Sequence, residues 1–225
     1  MEKLLGTRPR LTAAGRTDAG VHAAAMPVHF DAGHPIPAGK IAVAISQYLP
    51  QAISVLESSV APPHWDARRS ARLRWYRYQV LLSSVRRPLG PRAWRVFRPL
   101  DLNAIEAALA ELRGRHDFQG FRSSQCQAKR TILDLQQATL TRAGDLLALD
   151  FKCRSFLHHM VRFLVGTLVS VGLGQIDLAR LRRILERGDR PQLVLCAPPE
   201  GLCLMGVGYT PEECEKILAS APPPP

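Results

Sequence analysis

The chain has 225 residues, of which 46% are hydrophobic and 22% are charged. These values are ordinary for a globular protein, and they exclude wholesale disorder and a fibrous structure. Thirty basic residues against nineteen acidic ones give a net charge of +11, which indicates an anionic partner.

Hydrophobic patterning predicts the elements of the first half of the chain. Residues 11–14 and 26–31 alternate between apolar and polar side chains, as short strands do, and they flank a glycine-bounded loop. Helical spacing predicts a helix over 38–49, and further strands are expected at 53–60 and 73–82. The first half is therefore expected to be mainly strand, with one helix.

A connector rich in proline, glycine and arginine, residues 86–92, precedes a second half in which strands and helices follow each other irregularly. The elements predicted there are a strand at 94–97, a helix capped by Asp101, a hairpin of 132–140 and 146–153, helices at 155–171 and 178–187, and a strand at 202–209. Without a regular strand–helix alternation, this order favours an α+β fold with a mostly antiparallel sheet.

The connector also suggests the domain organisation. We expect an N-terminal lobe over residues 1–90, a C-terminal lobe over 91–210 and a C-terminal tail over 211–225. The N-terminal lobe would carry the glycine-bounded loop, and the C-terminal lobe would carry the apolar helix.

The apolar stretch 156–173 contains two histidines and an arginine, which favours a buried helix over a membrane span. Five cysteines occur without a CxxC pair, and the N-terminal residues lack the apolar core of a secretory signal. Free thiols in a reducing compartment, and hence a cytoplasmic location, are the expectation.

Arginines are concentrated in one segment. No acidic residue lies between Asp66 and Asp101, whereas this segment holds ten arginines, at positions 68, 69, 72, 74, 77, 86, 87, 92, 95 and 98. Aromatic residues such as Trp75 and Trp94 are interleaved with them, and cations beside stacking rings are typical of RNA binding. The alternative is a solvated face of an arginine-rich protein. Because the charge is concentrated, we expect RNA binding.

The loop of residues 15–23 reads GRTDAGVHA. Its glycines permit backbone torsions that lift the intervening side chains away from a strand end. Asp18 lies in its middle, where an Asx-turn is the simplest structural role. The lysine of a phosphate-binding Walker loop is missing, so this loop does not read as a phosphate cradle.

The same nine residues resemble the active-site motif of the tRNA pseudouridine synthase A family, whose aspartate is the catalytic carboxylate. Segments 65–78, 116–127, 155–162 and 200–209 resemble further motifs of that family, in the same order along the chain. The resemblance implies a pseudouridine synthase fold of two related lobes, with mostly antiparallel sheets and a central active-site cleft.

The resemblance also implies the activity. A member of this family isomerises uridine to pseudouridine at positions 38–40 of the tRNA anticodon arm, works as a homodimer, and uses neither a small-molecule cofactor nor a metal. Members begin with a strand, a loop and a helix. Residues 1–5 are similar only to the end of that helix, so about forty N-terminal residues are expected to be missing. The alternative is an RNA-binding module that has lost catalysis through this truncation.

Two catalytic residues are expected. The resemblance assigns the carboxylate to Asp18, which would either add covalently to the substrate or take a proton from the ribose. Arg162 lies inside the apolar helix, where a buried charge needs a partner. With the family match we expect that partner to be Asp18, whereas Asp150 or Glu186 would be purely structural partners.

Three substrate-binding residues are expected as well. The resemblance places Tyr76 against the uracil ring and Leu204 against its other face, although a core leucine is an equally good interpretation. Arg16 is suited to fill the space left by a flipped uridine, with a phosphate contact as the alternative.

The adjacent His158 and His159 invite a metal interpretation. No further ligand with suitable spacing is visible in the sequence, so a zinc site is not expected. Hydrogen bonding close to Arg162, or packing in the core, is the preferred role.

Overall fold

In the computed structural model, which describes residues 2–31, 33, 36–86, 90–190 and 194–220, one seven-stranded sheet carries most of the fold. Its main path runs β2 (His22–Ala23), β9 (Leu202–Gly208), β4 (Leu73–Leu82), β8 (Leu146–Cys153), β7 (Ile132–Ala143) and β6 (Gly114–Asp117), and β5 (Trp94–Val96) pairs with β4. The β2–β9 and β4–β5 pairings are parallel, and the other pairings are antiparallel. The α+β class with a mostly antiparallel sheet is confirmed.

Strand β4 lies at the centre of this sheet and has the predicted bounds. Alternation along it turns Tyr76, Tyr78 and Val80 into the hydrophobic core. The Tyr78 ring is fully buried, and its hydroxyl donates a hydrogen bond to the Pro198 carbonyl at 2.7 Å. A buried phenol therefore keeps a partner for its polar end.

Three helices share the core with the sheet: α3 (Leu102–Leu112), α4 (Met160–Gly172) and α5 (Leu178–Arg187). The side chains of Asp101 and Asp177 cap α3 and α5 by accepting backbone N–H groups in the first turn, as predicted. Helix α4 is buried along most of its length. No helix among the described residues is long and apolar enough to cross a bilayer.

Helix α4 begins five residues later than the predicted 155. The preceding residue, His159, has a φ of 62°, in the left-handed region, and a helix cannot run through that conformation. Residues 158 and 159 therefore lie in the turn that enters the helix. Their side chains therefore do not follow the residue spacing of the helix.

The other face of the sheet holds a buried ionic cluster. Arg77 donates to both oxygens of Asp150, from Nε at 3.0 Å and from Nη2 at 3.2 Å, and Trp75 donates its indole N–H to the same carboxylate. Arg74 is also buried and donates to the Arg154 carbonyl. Arg74 and Arg77 are therefore not available to RNA, because both guanidinium groups are used inside the fold.

Residues 211–219 of the predicted tail form a helix, α6 (Pro211–Ala219). Thr210 and Glu213 make a reciprocal capping box at its start, and a proline occupies its first turn. Lys152, buried on β8, donates from Nζ to the Ile217 carbonyl at 2.6 Å near its end. Residues 221–225 lie outside the described part of the chain.

The chain divides into two compact units, one of Met1–Arg16 and Pro27–Ala71 and another of Thr17–Met26 and Arg72–Pro225. The second unit contains the seven-stranded sheet. This division differs from the lobes expected at residues 1–90 and 91–210, since β4 pairs with β8 and β9. The two-lobe organisation stays a prediction.

The first unit contains α1 (Glu2–Leu5), the antiparallel pair β1 (Thr12–Ala13) and β3 (Val28–His29), and α2 (Ala38–Ser46). The strand predicted at 53–60 is wrong, since these residues form no ladder with any described strand. Ser58 instead fastens the segment to α2, where its hydroxyl accepts from the Ala42 N–H and donates to the Ala38 carbonyl. A pair of hydrogen bonds to a helix thus replaces strand pairing.

Candidate active site

Asp18 lies in a turn immediately before β2. Its carbonyl accepts the N–H of Val21 at 3.0 Å, and Gly20 follows with a φ of +84°, which an L side chain adopts only with strain. The next residues pair with β9, and the N–H of Ala24 donates to the Leu204 carbonyl at 2.8 Å. The backbone therefore closes the turn and leaves the carboxylate for other partners.

The carboxylate of Asp18 pairs with Arg162. Arg162 Nη1 lies 3.0 Å from Asp18 Oδ2, and its Nε donates to the Ala197 carbonyl at 2.7 Å. The N–H of Ala197 donates in return to the Arg162 carbonyl at 3.1 Å. The predicted pairing of Asp18 with Arg162 is confirmed, while Asp150 binds Arg77 instead.

Two histidines complete the surroundings of Asp18. His158 Nε2 lies 3.4 Å from Oδ1, and His159 Nε2 lies 3.1 Å from Oδ2. The His158 carbonyl accepts the N–H of Ser123 at 2.9 Å, which holds the turn in place. The expected hydrogen-bonding role near Arg162 therefore takes the form of direct contact with the carboxylate.

Charge in this cluster is divided unequally. Burial holds the pKa of His159 below its usual range, helped by the neighbouring His158 and Arg162 charges and opposed by Asp18. His159 is therefore uncharged at neutral pH, and Arg162 is the cation that balances the carboxylate. Because the Asp18 side chain keeps 25% of its surface exposed, the oriented carboxylate is available to a substrate.

Tyr76 on β4 and Leu204 on β9 are paired across the β4–β9 ladder. Strand β9 also pairs with β2, the strand that follows the Asp18 turn. Tyr76 is 8% exposed, packs edge-on against Phe156 with ring centroids 5.1 Å apart, and has its pKa raised by burial and by the Asp18 charge. Leu204 is fully buried in the core. A bulge at Met205 shifts the register beside Tyr76. Such bulges redirect side chains next to functional sites.

Arg16 is exposed and belongs to the first unit, and its proposed part in substrate binding stays a prediction. The roles of Tyr76 and Leu204 against uracil stay predictions as well. Asp18 and Arg162, the two predicted catalytic residues, are in direct contact.

The sequence did not reveal the segment that fixes Arg162. Residues 194–198 have no motif, yet the Ala197 backbone holds the guanidinium, and Cys196 is close enough to Asp18 and Arg162 for their charges to act on its thiol. The sequence feature that could have pointed to this segment is Gly166 on α4. A Cβ there would lie 1.8 Å from the Leu195 carbonyl oxygen, so glycine is required for this segment to pack against the helix.

The cluster also has the composition of a metal site. Asp18, His158 and His159 each offer one ligand atom, and these atoms all lie within 4.8 Å of one another. Sequence spacing does not reveal this third candidate ligand, because Asp18 comes from a distant part of the chain, and the expectation that no zinc site is present stays a prediction.

Known proteins similar to this chain agree on one family. A family model described as tRNA pseudouridine synthase matches residues 108–210. A tRNA pseudouridine synthase A of Pelobacter propionicus is 40% identical, over 92% of this chain and 85% of its own length. Proteins of the same name from Gluconobacter oxydans and Brucella ovis are 44% and 42% identical, each over 92% of this chain, and over 77% and 84% of their own lengths.

Proposed function

The chain belongs to the tRNA pseudouridine synthase A family, and we propose that it isomerises uridine to pseudouridine in tRNA. The observation that carries the proposal is the contact between Asp18, in the motif that resembles the family's active site, and Arg162. In this reaction the N1–C1′ bond breaks and a C5–C1′ bond forms. The C5 proton leaves to solvent and N1 gains a proton, so no electrons are exchanged.

Asp18 acts on the substrate as the catalytic carboxylate. Covalent addition and removal of a ribose proton are the two routes open to a carboxylate at a glycosidic bond, and both need it ionised. Arg162 places a positive charge beside the carboxylate and fixes its direction through a charge-assisted hydrogen bond. The Ala197 carbonyl fixes the guanidinium in turn.

Tyr76 and Leu204 bind the base. Their positions on neighbouring strands would allow one to meet each face of a uracil ring, provided that the core opens slightly at Leu204. A uridine in a stem must leave the stack to reach Asp18, at a cost of a few kcal/mol. Arg16 fills the space that the flipped uridine leaves.

The substrate is the anticodon arm of tRNA, at uridines 38–40. Exposed arginines of the basic segment contact phosphates, which supply most of the affinity for a nucleic acid. The enzyme works in the cytoplasm, where mature tRNA is found, as a homodimer and without a small-molecule cofactor. Its two related lobes, residues 1–90 and 91–210, border the cleft that holds Asp18.

Release of tritium from tRNA labelled with [5-³H]uridine tests this function, because the C5 hydrogen is lost only when the new bond forms. We expect release from a tRNA with uridines at positions 38–40, and none when cytidines replace them. Binding of tRNA without release would instead favour the alternative, an RNA-binding module without catalysis.

A further inference from the structure

We propose that Asp18, His158 and His159 form a binding site for a divalent transition-metal ion such as Zn²⁺, and that the bound ion inhibits the enzyme by occupying the catalytic carboxylate. Binding is inferred from the geometry alone. Inhibition rests, in addition, on the proposed function of Asp18.

The separations between ligand atoms suit tetrahedral zinc. Zn–N and Zn–O bonds of about 2.0–2.1 Å place the ligand atoms of a tetrahedral site roughly 3.3–3.4 Å apart. His158 Nε2 lies 3.4 Å from Asp18 Oδ1 and His159 Nε2 lies 3.1 Å from Asp18 Oδ2, and one ligand atom from each of the three residues lies within 4.8 Å of the others. Three protein ligands with one open position are typical of zinc sites that also bind a small molecule.

The two imidazole rings are already arranged side by side. Their centroids are 3.9 Å apart and their planes are inclined by 38°, so both rings present Nε2 to the same carboxylate. The left-handed backbone of His159 and the hydrogen bond from Ser123 to the His158 carbonyl fix the turn that carries them. An ion therefore meets ligands that need little rearrangement.

The ligand set determines the class of ion. Two imidazoles and one carboxylate suit zinc, copper, nickel and cobalt, whereas magnesium and calcium prefer ligand sets made of oxygen. The side chains of His158, His159 and Asp18 are 40%, 25% and 25% exposed, so an ion can reach them from solvent. Arg162 and His159 both lie against Oδ2, whereas Oδ1 faces His158, so a metal bound through Oδ1 would need His159 to turn slightly toward it.

Equilibrium dialysis of the full chain against Zn²⁺ tests the binding step. We expect one ion per chain, held at least about tenfold more weakly by His158→Gln and by His159→Asn. Asparagine is used at 159 because it tolerates a left-handed backbone. His116→Gln is the matched control, since His116 bonds to the Arg113 carbonyl and lies outside the cluster.

Two outcomes overturn the proposal: wild type that binds no Zn²⁺, and Zn²⁺ binding that survives both histidine variants but is abolished in Cys196→Ser. The Tm of each protein with and without Zn²⁺ separates loss of the site from loss of the fold, because a bound ion stabilises only a folded site.

Tritium release by wild type, measured with Zn²⁺ and with a chelator, tests inhibition. A release rate unchanged by saturating Zn²⁺ would overturn that part, whereas no release even with the chelator would contradict the proposed function itself.

Discussion

At the scale of single residues, Asp18 is held by a chain of contacts that starts in the backbone. The Ala197 carbonyl fixes Arg162, Arg162 fixes one oxygen of Asp18, and His158 and His159 lie within 3.4 Å of the carboxylate. A carboxylate held on several sides loses little orientational freedom when a substrate arrives. Arg162 is the only one of these groups that is always charged.

Arg162→Met tests that role. Methionine keeps most of the apolar stem and removes the charge, so α4 still packs while Asp18 loses its cation. We expect single-turnover tritium release to fall by about 100-fold or more. Because the Asp18 side chain is 25% exposed, water can solvate the carboxylate. Stability should therefore fall by much less than the roughly 3–5 kcal/mol of a fully buried broken pair.

Arg183→Met, at an exposed position on α5, is the control for loss of an arginine and should keep wild-type activity. Thermal melts accompany the kinetic measurements on both variants. An Arg162→Met enzyme with wild-type turnover would show that Arg162 serves the core and not the catalytic carboxylate.

The contacts of a single residue could be predicted from the sequence only where a physical requirement, such as a partner for a buried charge, fixed them. Arg162 could be paired with Asp18 in advance, because a charge inside an apolar helix demands a partner and the motif supplied one. The contact of His158 and His159 with Asp18 could not, because it depends on a left-handed residue before α4 that no local pattern marks. Leu204 was ambiguous in the sequence, and its full burial leaves its role at the base a prediction.

At the scale of elements, the packing of segment 194–198 on α4 controls the site. The segment approaches the helix so closely at Gly166 that only a hydrogen atom fits beneath the Leu195 carbonyl. One turn earlier on the helix, the backbones of Arg162 and Ala197 are hydrogen-bonded. Displacement of the segment at Gly166 therefore moves the group that orients Arg162.

Gly166→Ala is expected to lower both stability and activity. The new methyl group must displace a backbone carbonyl, and overpacking of this kind costs about 1–3 kcal/mol. The matched control is Gly39→Ala on α2, where a Cβ would meet nothing within 4 Å. That variant should gain about 0.5 kcal/mol, since alanine favours a helix over glycine. Denaturant titrations and tritium release on both variants make the comparison.

Gly166→Ala with unchanged stability and turnover would show that segment 194–198 can shift without consequence. Equal losses in the two variants would have the same meaning, because the close approach at Gly166 would then have no special effect.

Elements with a complete local signal were the ones that could be predicted. Strand β4 is a ten-residue run rich in aromatic and aliphatic residues, and α3 and α5 carry aspartate caps, so their positions followed from local rules. The apolar pattern at 53–60 predicted a strand by the same rules. A strand needs a partner strand, however, and Ser58 attaches this segment to α2 instead. Helix α6 also has a local signal, the capping box of Thr210 and Glu213.

At the scale of the whole molecule, the positive charge has two different uses. Arg74, Arg77 and Lys152 are buried and serve the sheet and α6. Others in the basic segment, such as Arg72 and Arg92, are exposed and available to an anionic partner. Composition alone could not separate these uses, because burial depends on which strands pair.

Replacing the exposed Arg72, Arg92 and Arg98 together by glutamine should weaken tRNA binding. Each arginine–phosphate interaction that is removed should reduce the slope of log K against log salt concentration by about one unit. A second triple variant, Arg115, Arg142 and Arg187 to glutamine, removes the same charge from exposed positions outside the segment. Binding curves at several salt concentrations should show the larger decrease of slope in the first variant. Equal slopes in both variants would mean that the basic segment has no special part in binding.

The long-range organisation of the fold was only partly accessible from sequence. Irregular order of strands and helices was enough to give the α+β class. The parallel pairing of β2 with β9 places the Asp18 turn beside β9, one strand away from β4, and it joins residues near opposite ends of the chain. Such a pairing depends on the global packing of the sheet, and no local signal in either segment specifies it.

Catalysis by the ionised carboxylate of Asp18 is tested most directly by single-turnover tritium release from [5-³H]uridine tRNA by Asp18→Asn. Asparagine keeps the size of the side chain but cannot ionise. We predict no release above background, with the Kd for tRNA within a few-fold of wild type because phosphate contacts dominate binding. Asp134→Asn, an exposed aspartate on β7, should release tritium as wild type does. Release by Asp18→Asn at a rate within about tenfold of wild type would contradict the catalytic role of Asp18.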